Sequence, residues 1–348
     1  MALIEFTNKI SKVFENGELL LGVFLDLSKA FDCIDHCILF KKLEYYGIRG
    51  VTRDWFESYL SNRNQYTFID NFKSDELPMR VGVPQGSVLG PLLFLIFIND
   101  LQFVSSRLFS ILFADDTNLF ISGNNADEIN SAINIEMNKV YIWFNANKLV
   151  LNLDKTCYMI FKPKNKHICD DSVKLFIGNN EIHRVNSTKF LGVLIDDNLT
   201  WKEHVNDICQ KVSRTVGVMN RLKHIIPRKI LLTLYNTMIL PYISYCNIIW
   251  GNCAIYLLNR VLMLQKRAVR IINNDEPLTH TDPLFKKFRI LKVCDINELQ
   301  VAVFMYSYFN DLLPQTFNNC FIVNRAIHSH GTRICQNIHV PVNLKIIE

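Results

Sequence analysis

No CxxC pair occurs among the ten cysteines. Zinc ribbons and dithiol redox motifs are therefore excluded, and the thiols read as reduced, intracellular ones. Cys320, His328, His330 and Cys335 match the spacing of no common zinc finger. Internal repeats and low-complexity tracts are absent. Met1 to Lys12 has no apolar run of secretory length, and no targeting signal is visible, so the expected location is intracellular, in nucleus or cytoplasm. From Ile230 to Asn259 there is no charged residue, which invites a membrane span. Thr233, Asn236, Thr237, Asn247, Asn252 and a central Pro241 argue against one, and two buried helices separated near Pro241 are expected. A strong net charge is also lacking, at +5. It is unevenly spread: residues 1–200 hold 20 basic and 24 acidic side chains, residues 201–348 hold 18 and 9. The later part is the expected polyanion-binding surface. With 348 residues, 49% of them hydrophobic, the chain is globular and long enough for two domains.

What is present centres on Phe113-Ala114-Asp115-Asp116. The apolar runs Leu108 to Phe113 and Asn118 to Ile121 flank it, so the acidic pair sits at the turn of a predicted hairpin. Adjacent carboxylates repel and desolvate poorly. The pair fits a polar turn or a site for a hard divalent cation.

A third carboxylate weighs on that choice. Leu19 to Leu25 is a continuous apolar run, read as a buried strand, and it ends at Asp26. A charge at the end of a core strand needs a partner, either a salt bridge or a metal. Asp26 and Asp115 can share a pair of metal ions if the two strands are neighbours. Asp32 and Asp35 read as helix caps, Asp35 for a helix that Gly47 stops. Gly82, Pro84, Gly86, Gly90 and Pro91 form a constrained loop before an apolar helix.

Helices are predicted over 36–46, 51–60, 92–101, 126–146, 201–223, 229–240 and 256–273. Strands are predicted over 19–26, 65–69, 108–113, 117–121, 156–161, 173–177 and 188–195. Ile4, Ile10, Val13 and Phe14 give the start of the chain a short amphipathic stretch. The helix from Trp201 has an apolar stripe (Val205, Ile208, Val212, Val216, Met219), with Lys211, Arg214 and Arg221 on another side. Arg260, Arg267 and Arg270 repeat that spacing later. Such stripes are either solvated helix faces or tracks for a nucleic-acid backbone.

Three segments in order resemble the reverse transcriptases of non-LTR, LINE-type retrotransposons, especially the jockey-like group. Phe24-Leu25-Asp26-Leu27-Ser28-Lys29-Ala30-Phe31-Asp32 is similar to polymerase motif A, Gly82 to Phe94 to motif B, and Phe113 to Asp116 to motif C. Leu151 to Thr156 resembles motif D and Lys189 to Val193 motif E. Leu240 to Cys246 and Leu264 to Ala268 resemble the family's downstream region.

The resemblance implies an α/β polymerase palm, an antiparallel sheet with packed helices, over 1–197 with partial fingers. A mainly helical thumb-like and C-terminal region is implied over 198–348. About twenty residues precede the motif A strand, so the fingers are expected to be largely missing. The implied activity is RNA-directed DNA synthesis, from deoxynucleoside triphosphates, on an RNA template with a DNA primer. Asp26, Asp115 and Asp116 are the implied catalytic residues, binding two Mg2+ (or Mn2+) ions together with the carbonyl of Leu27. Phe31 matches the steric gate against a ribose 2′-hydroxyl, Gln85 lies by nucleotide and template base, and Lys155 is a candidate general acid for pyrophosphate. Leu191 and Gly192 touch the primer end. Lys211, Arg214, Arg221, Arg260, Arg267 and Arg270 hold the template–primer backbone. The alternative expectations are a truncated, inactive transposon remnant that still binds nucleic acid, and a two-metal nuclease, against which Gln85 argues.

Overall fold

The computed structural model describes residues 1–163, 173–318, 320 and 321. His328, His330 and Cys335 lie outside the described residues. The chain divides into two compact units, one of Ala2 and Asn8–Leu191, the other of Met1, Leu3–Thr7 and Gly192–Glu348.

The first unit is built on a five-stranded sheet: β1 (Leu19–Leu25), β2 (Phe109–Phe113), β3 (Asp116–Gly123), β4 (Cys157–Phe161) and β5 (His183–Arg184), in the order β5-β4-β1-β3-β2. All seven residues of β1 are buried, as its unbroken apolar run requires of a strand covered on both faces. It pairs antiparallel with β3, from Leu19–Gly123 to Leu25–Thr117, and with β4, from Leu20–Phe161 to Phe24–Cys157. The sheet is mixed and not purely antiparallel, because the edge pair β5 runs parallel to β4. Two residues are too short to carry a period, so sequence alone does not reveal that strand.

Alternation sends Leu19, Leu21, Val23 and Leu25 to one face. There they join Ile129, Ile133, Met137, Val140 and Phe144 of the helix Ala126–Ala146, and apolar residues of the helices His36–Tyr45, Val51–Leu60 and Leu89–Ile98. These helices are α5, α2, α3 and α4; α1 is Ala2–Glu15. Each buried aliphatic side chain contributes roughly 1.5–3 kcal/mol. On the other face Phe24 meets Phe120 and Phe190 edge-on, at 6.1 and 6.2 Å.

The helix ends follow from local chemistry. Asp35 caps α2 by accepting from Ile38 N at 3.0 Å, and Gly47 takes φ +89 past its end. Asn125 caps α5 by accepting from Glu128 N at 2.8 Å. α1 buries Leu3, Phe6, Ile10 and Val13. The expected helix 92–101 begins earlier, at Leu89, and passes into a 3-10 turn, Asn99–Phe103. The expected strand 65–69 is two fragments, Asn64–Gln65 and Phe68–Ile69, both exposed, with Asp70 and Asn71 closing a tight turn at φ +46 and +69. Of the expected strand 173–177 only Phe176–Ile177 forms.

The second unit is helical: α6 (Lys202–Leu222), α7 (Arg228–Met238), α8 (Leu240–Ser244), α9 (Asn247–Trp250), α10 (Ile255–Asn273), α11 (Asp282–Phe288) and α12 (Val293–Phe309). The charge-free stretch forms α7, α8, α9 and the start of α10, with Pro241 in the first turn of α8. Several of its polar groups, and of those on the helices against it, bond internally. Asn297 Nδ2 donates to Asn247 O at 2.8 Å, and Ile248 N donates to Gln300 Oε1 at 2.8 Å. Gln265 is buried and donates to the Tyr235 hydroxyl and Leu291 O, both at 2.7 Å, while accepting from Val293 N at 3.0 Å. Among the described residues no helix is long and apolar enough to cross a membrane.

α6 buries Val205, Ile208, Val212, Val216 and Met219, and also His204. The His204 ring packs edge-on against Trp250 at 5.6 Å and its Nδ1 accepts from Leu194 N at 3.4 Å. Burial pulls its pKa down from 6.5 to about 4. The unfolded imidazole therefore binds a proton before the folded one does. Its contribution to stability is complete above about pH 6.5 and is lost as pH falls toward 4, by up to about 3 kcal/mol. Urea titrations at neutral and mildly acid pH should show this loss, and His204→Gln, which keeps an acceptor, should flatten it.

Candidate active site

Three acidic residues converge at one end of the central sheet. Asp26 follows Leu25, the last residue of β1, which pairs with Thr117 of β3. One antiparallel step further, Asp26 lies across from Asp116, the first residue of β3. Phe113 of β2 pairs with Asp116, leaving Ala114 and Asp115 as a two-residue turn, with Ala114 at φ +51. The Asp116 carboxyl is held above the ordinary carboxylate range, first by burial, then by the charges of Asp115 and Asp26. Asp116 thus stands in the field of the other two.

The segment after β1 is fixed by the loop around Asp154. Asn152 N donates to Asp26 O at 2.8 Å and Ser28 N to Val150 O at 2.9 Å. Leu27, buried, bridges to Leu151. Asp26 N donates to Thr156 Oγ1 at 3.3 Å, and that hydroxyl donates to Asn152 O at 2.8 Å. Thr156 is 1% exposed. It is a positioning residue that sequence reading missed, since a threonine opening a strand is unremarkable. Thr156→Val should cost about 1–2 kcal/mol in urea denaturation, because it strands the Asp26 N–H.

Lys155 Nζ stands 3.9 Å from Asp26 Oδ2. At 72% and 43% exposure the pair is worth well under 1 kcal/mol. Among the described residues no three His, Cys, Asp or Glu side chains are gathered closely enough to hold a metal ion as they stand. The backbone gathers the acids, but their side chains are not drawn together. Hard oxygen donors with like-charge repulsion left unrelieved on Asp116 fit a divalent cation.

Phe31 follows Asp26 by five residues, in a 3-10 turn entered through Lys29 at φ +50; its ring rests on Phe94 at 4.8 Å. Gln85 is exposed, and its Nε2 donates to Asp32 Oδ1 at 2.9 Å. Asp32 is therefore not a helix cap, as its sequence position suggested, but the anchor of Gln85. The expected strand 188–195 is broken by Leu191 and Gly192, at φ +46 and +84.

Within the second unit, Lys211 is paired with Asp207 at 2.6 Å, Arg260 donates to Asn206 Oδ1 at 2.7 Å, and Arg270 donates to Thr279 O at 2.7 Å. Arg214, Arg221 and Arg267 are exposed.

The model of the family described as reverse transcriptase (RNA-dependent DNA polymerase) matches residues 3–195, more than half of the chain. The chain belongs to the reverse transcriptase family. Among curated relatives, the chain is 28% identical over 287 residues to the probable RNA-directed DNA polymerase from transposon BS of Drosophila melanogaster. That match covers 77% of the chain and 30% of the relative. It is 25% identical over 297 residues to the RNA-directed DNA polymerase from mobile element jockey of the same organism, covering 82% and 32%. The resemblance to non-LTR, jockey-like retrotransposons thus holds over most of the chain, which itself spans about a third of the length of these relatives. Among solved structures, a telomerase from Candida albicans in complex with a telomeric RNA fragment aligns at 13% identity and a TM-score of 0.47, over 85% of this chain and 49% of that one. Reverse transcriptases work with divalent metal ions.

Proposed function

We infer that this chain is the core of an RNA-directed DNA polymerase that adds deoxynucleotides to a primer 3′-hydroxyl on an RNA template. The observation that carries the reading is the convergence of Asp26 with Asp115 and Asp116 at one sheet end. Divalent ions, two Mg2+ or Mn2+, held by Asp26, Asp115, Asp116 and the Leu27 carbonyl, would lower the primer hydroxyl's pKa and balance the charge of the triphosphate. The first unit corresponds to the palm and the second to a thumb-like region.

The protein's own groups then have separable tasks. Phe31, backed by Phe94, crowds a ribose 2′-hydroxyl and favours deoxynucleotides. Gln85, oriented by Asp32, meets the nucleotide and the template base. Lys155 reaches toward Asp26 from an exposed position and can give a proton to departing pyrophosphate. The turn at Leu191 and Gly192 supports the primer end. Arg214, Arg221 and Arg267 bind phosphates as they stand; Lys211, Arg260 and Arg270 do so by exchanging an internal partner for a phosphate.

Primer extension on poly(rA)–oligo(dT) with dTTP and Mg2+ tests the reading. Incorporation that requires both the metal and Asp115 supports it. Binding of the primed template with no incorporation, in either Mg2+ or Mn2+, rejects it in favour of an inactive binding protein.

A further inference from the structure

Between Ile208 and Asn274 the chain holds ten lysines and arginines and no aspartate or glutamate. The fold gathers four of these ten, with Lys287 from further along the chain. The bond from Arg260 to Asn206 ties an early turn of α10 to an early turn of α6, so the two packed helices run in the same direction and end on the same side. α7 starts just beyond the end of α6, and Arg228 Nη2 stands 3.5 Å from Asn273 O at the end of α10. Lys287 of α11 donates to Asn273 Oδ1 at 2.9 Å. Four helix ends therefore bring Arg221, Lys223, Arg228, Lys229 and Lys287 to one corner.

A purely structural account covers only part of this cluster. Cations stabilise the C-terminal ends of α6 and α10, where the helix dipole is negative. Arg228 and Lys229 are the first two residues of α7, where the dipole is positive and acids would be favoured; α7 has none there. Arg228 and Lys287 also converge on one neutral residue, Asn273. The one carboxylate bonded to that residue is Asp275, which accepts from Asn273 Nδ2 at 2.8 Å through both oxygens. Among the described residues none of the five cations pairs with a carboxylate. Arg228, Lys229 and Lys287 are exposed. Like charges held together at a cost to the helix mark a surface made for an external polyanion.

We propose that this corner of the helical unit binds the phosphodiester backbone of nucleic acid, as a contact in its own right that shares only Arg221 with the α6 and α10 stripes. It extends the polymerase reading without resting on it, since binding here needs no catalysis. The full chain would be titrated onto short labelled single-stranded RNA, duplex DNA and RNA–DNA hybrid, by fluorescence anisotropy, from about 50 to 200 mM salt. Arg228→Gln/Lys229→Gln/Lys287→Gln should lower the salt slope by about two to three and weaken binding roughly 10- to 100-fold at the low-salt end. Its melting temperature should hold or rise, because cations leave the positive end of α7. The charge-matched Lys12→Gln/Lys41→Gln/Lys202→Gln should keep the wild-type slope. The arm with the larger loss identifies which nucleic acid the corner takes. Equal slope loss in both triples, or an unchanged slope in the first with loss only of binding to anionic lipid vesicles, would overturn the proposal. The readout is affinity, so this result and that of primer extension fail independently.

Discussion

Asp115→Ala should reduce metal-dependent primer extension by about 10³-fold or more, while the protein still folds. Asp115 is exposed at the tip of a two-residue turn, so truncating it removes no core contact. It also relieves a like charge on Asp116, whose carboxyl is held above the ordinary range by burial and then by Asp115 and Asp26. For an acid with a raised folded pKa, stability is greatest while the group is protonated and declines as pH rises through that pKa. In EDTA at neutral pH the variant should therefore melt at or above the wild-type temperature. Adding Mg2+ should reverse the order. The wild type should gain stability by mass action, because the ion binds the folded site and not the unfolded chain, and the variant should gain little. Loss of extension with an unchanged Mg2+ shift would mean that the ion binds elsewhere. Equal extension by both proteins would remove Asp115 from the chemistry.

How much of this was legible in the sequence depended on whether the signal was local. The Leu19–Leu25 strand declared itself because seven apolar residues with no polar interruption have nowhere to go but the middle of a covered sheet. α5 was bounded correctly because Asn125 offers a cap and Ile129, Ile133, Met137, Val140 and Phe144 keep the helical period. The acidic turn was visible because apolar runs flank it on both sides. α12 was not marked out, since its apolar residues surround the helix and leave no stripe. Contacts across the chain were invisible in principle. Nothing in spacing says that Asp32 will hold Gln85, 53 residues on, or that Thr156 will accept from Asp26, 130 residues back. Lys211 carried a readable warning, because Asp207 stands one helical turn before it and claims its charge.

Gly82→Ala should cost the first unit about 3 kcal/mol or more, whereas Gly86→Ala, four residues later in the same loop, should cost only about 1 kcal/mol. Both glycines lie in the left-handed region, at φ +86 and +80, so both variants carry the strain of an L side chain there. They differ in what the new methyl meets. A Cβ on Gly86 would find nothing within 4 Å. One on Gly82 would stand 2.8, 2.9 and 3.0 Å from the backbone O, Cα and C of Asp32, none of which can rotate away. The backbones are pinned together there. Gly82 N donates to Ile34 O at 2.8 Å, Val83 N donates to Phe31 O at 2.9 Å, and His36 Nε2 stands 2.7 Å from Gly82 O. Relief of the clash must pull the Phe31–Asp32 turn away from the loop that carries Gln85. Urea denaturation should separate the two variants by about 2 kcal/mol. Extension by Gly82→Ala should fall further than its residual folded fraction accounts for, because Asp32 would no longer hold Gln85 in place. Equal costs for the two variants would show that close backbone approach at Gly82 does not join these segments, and the orientation of Gln85 would then need another source.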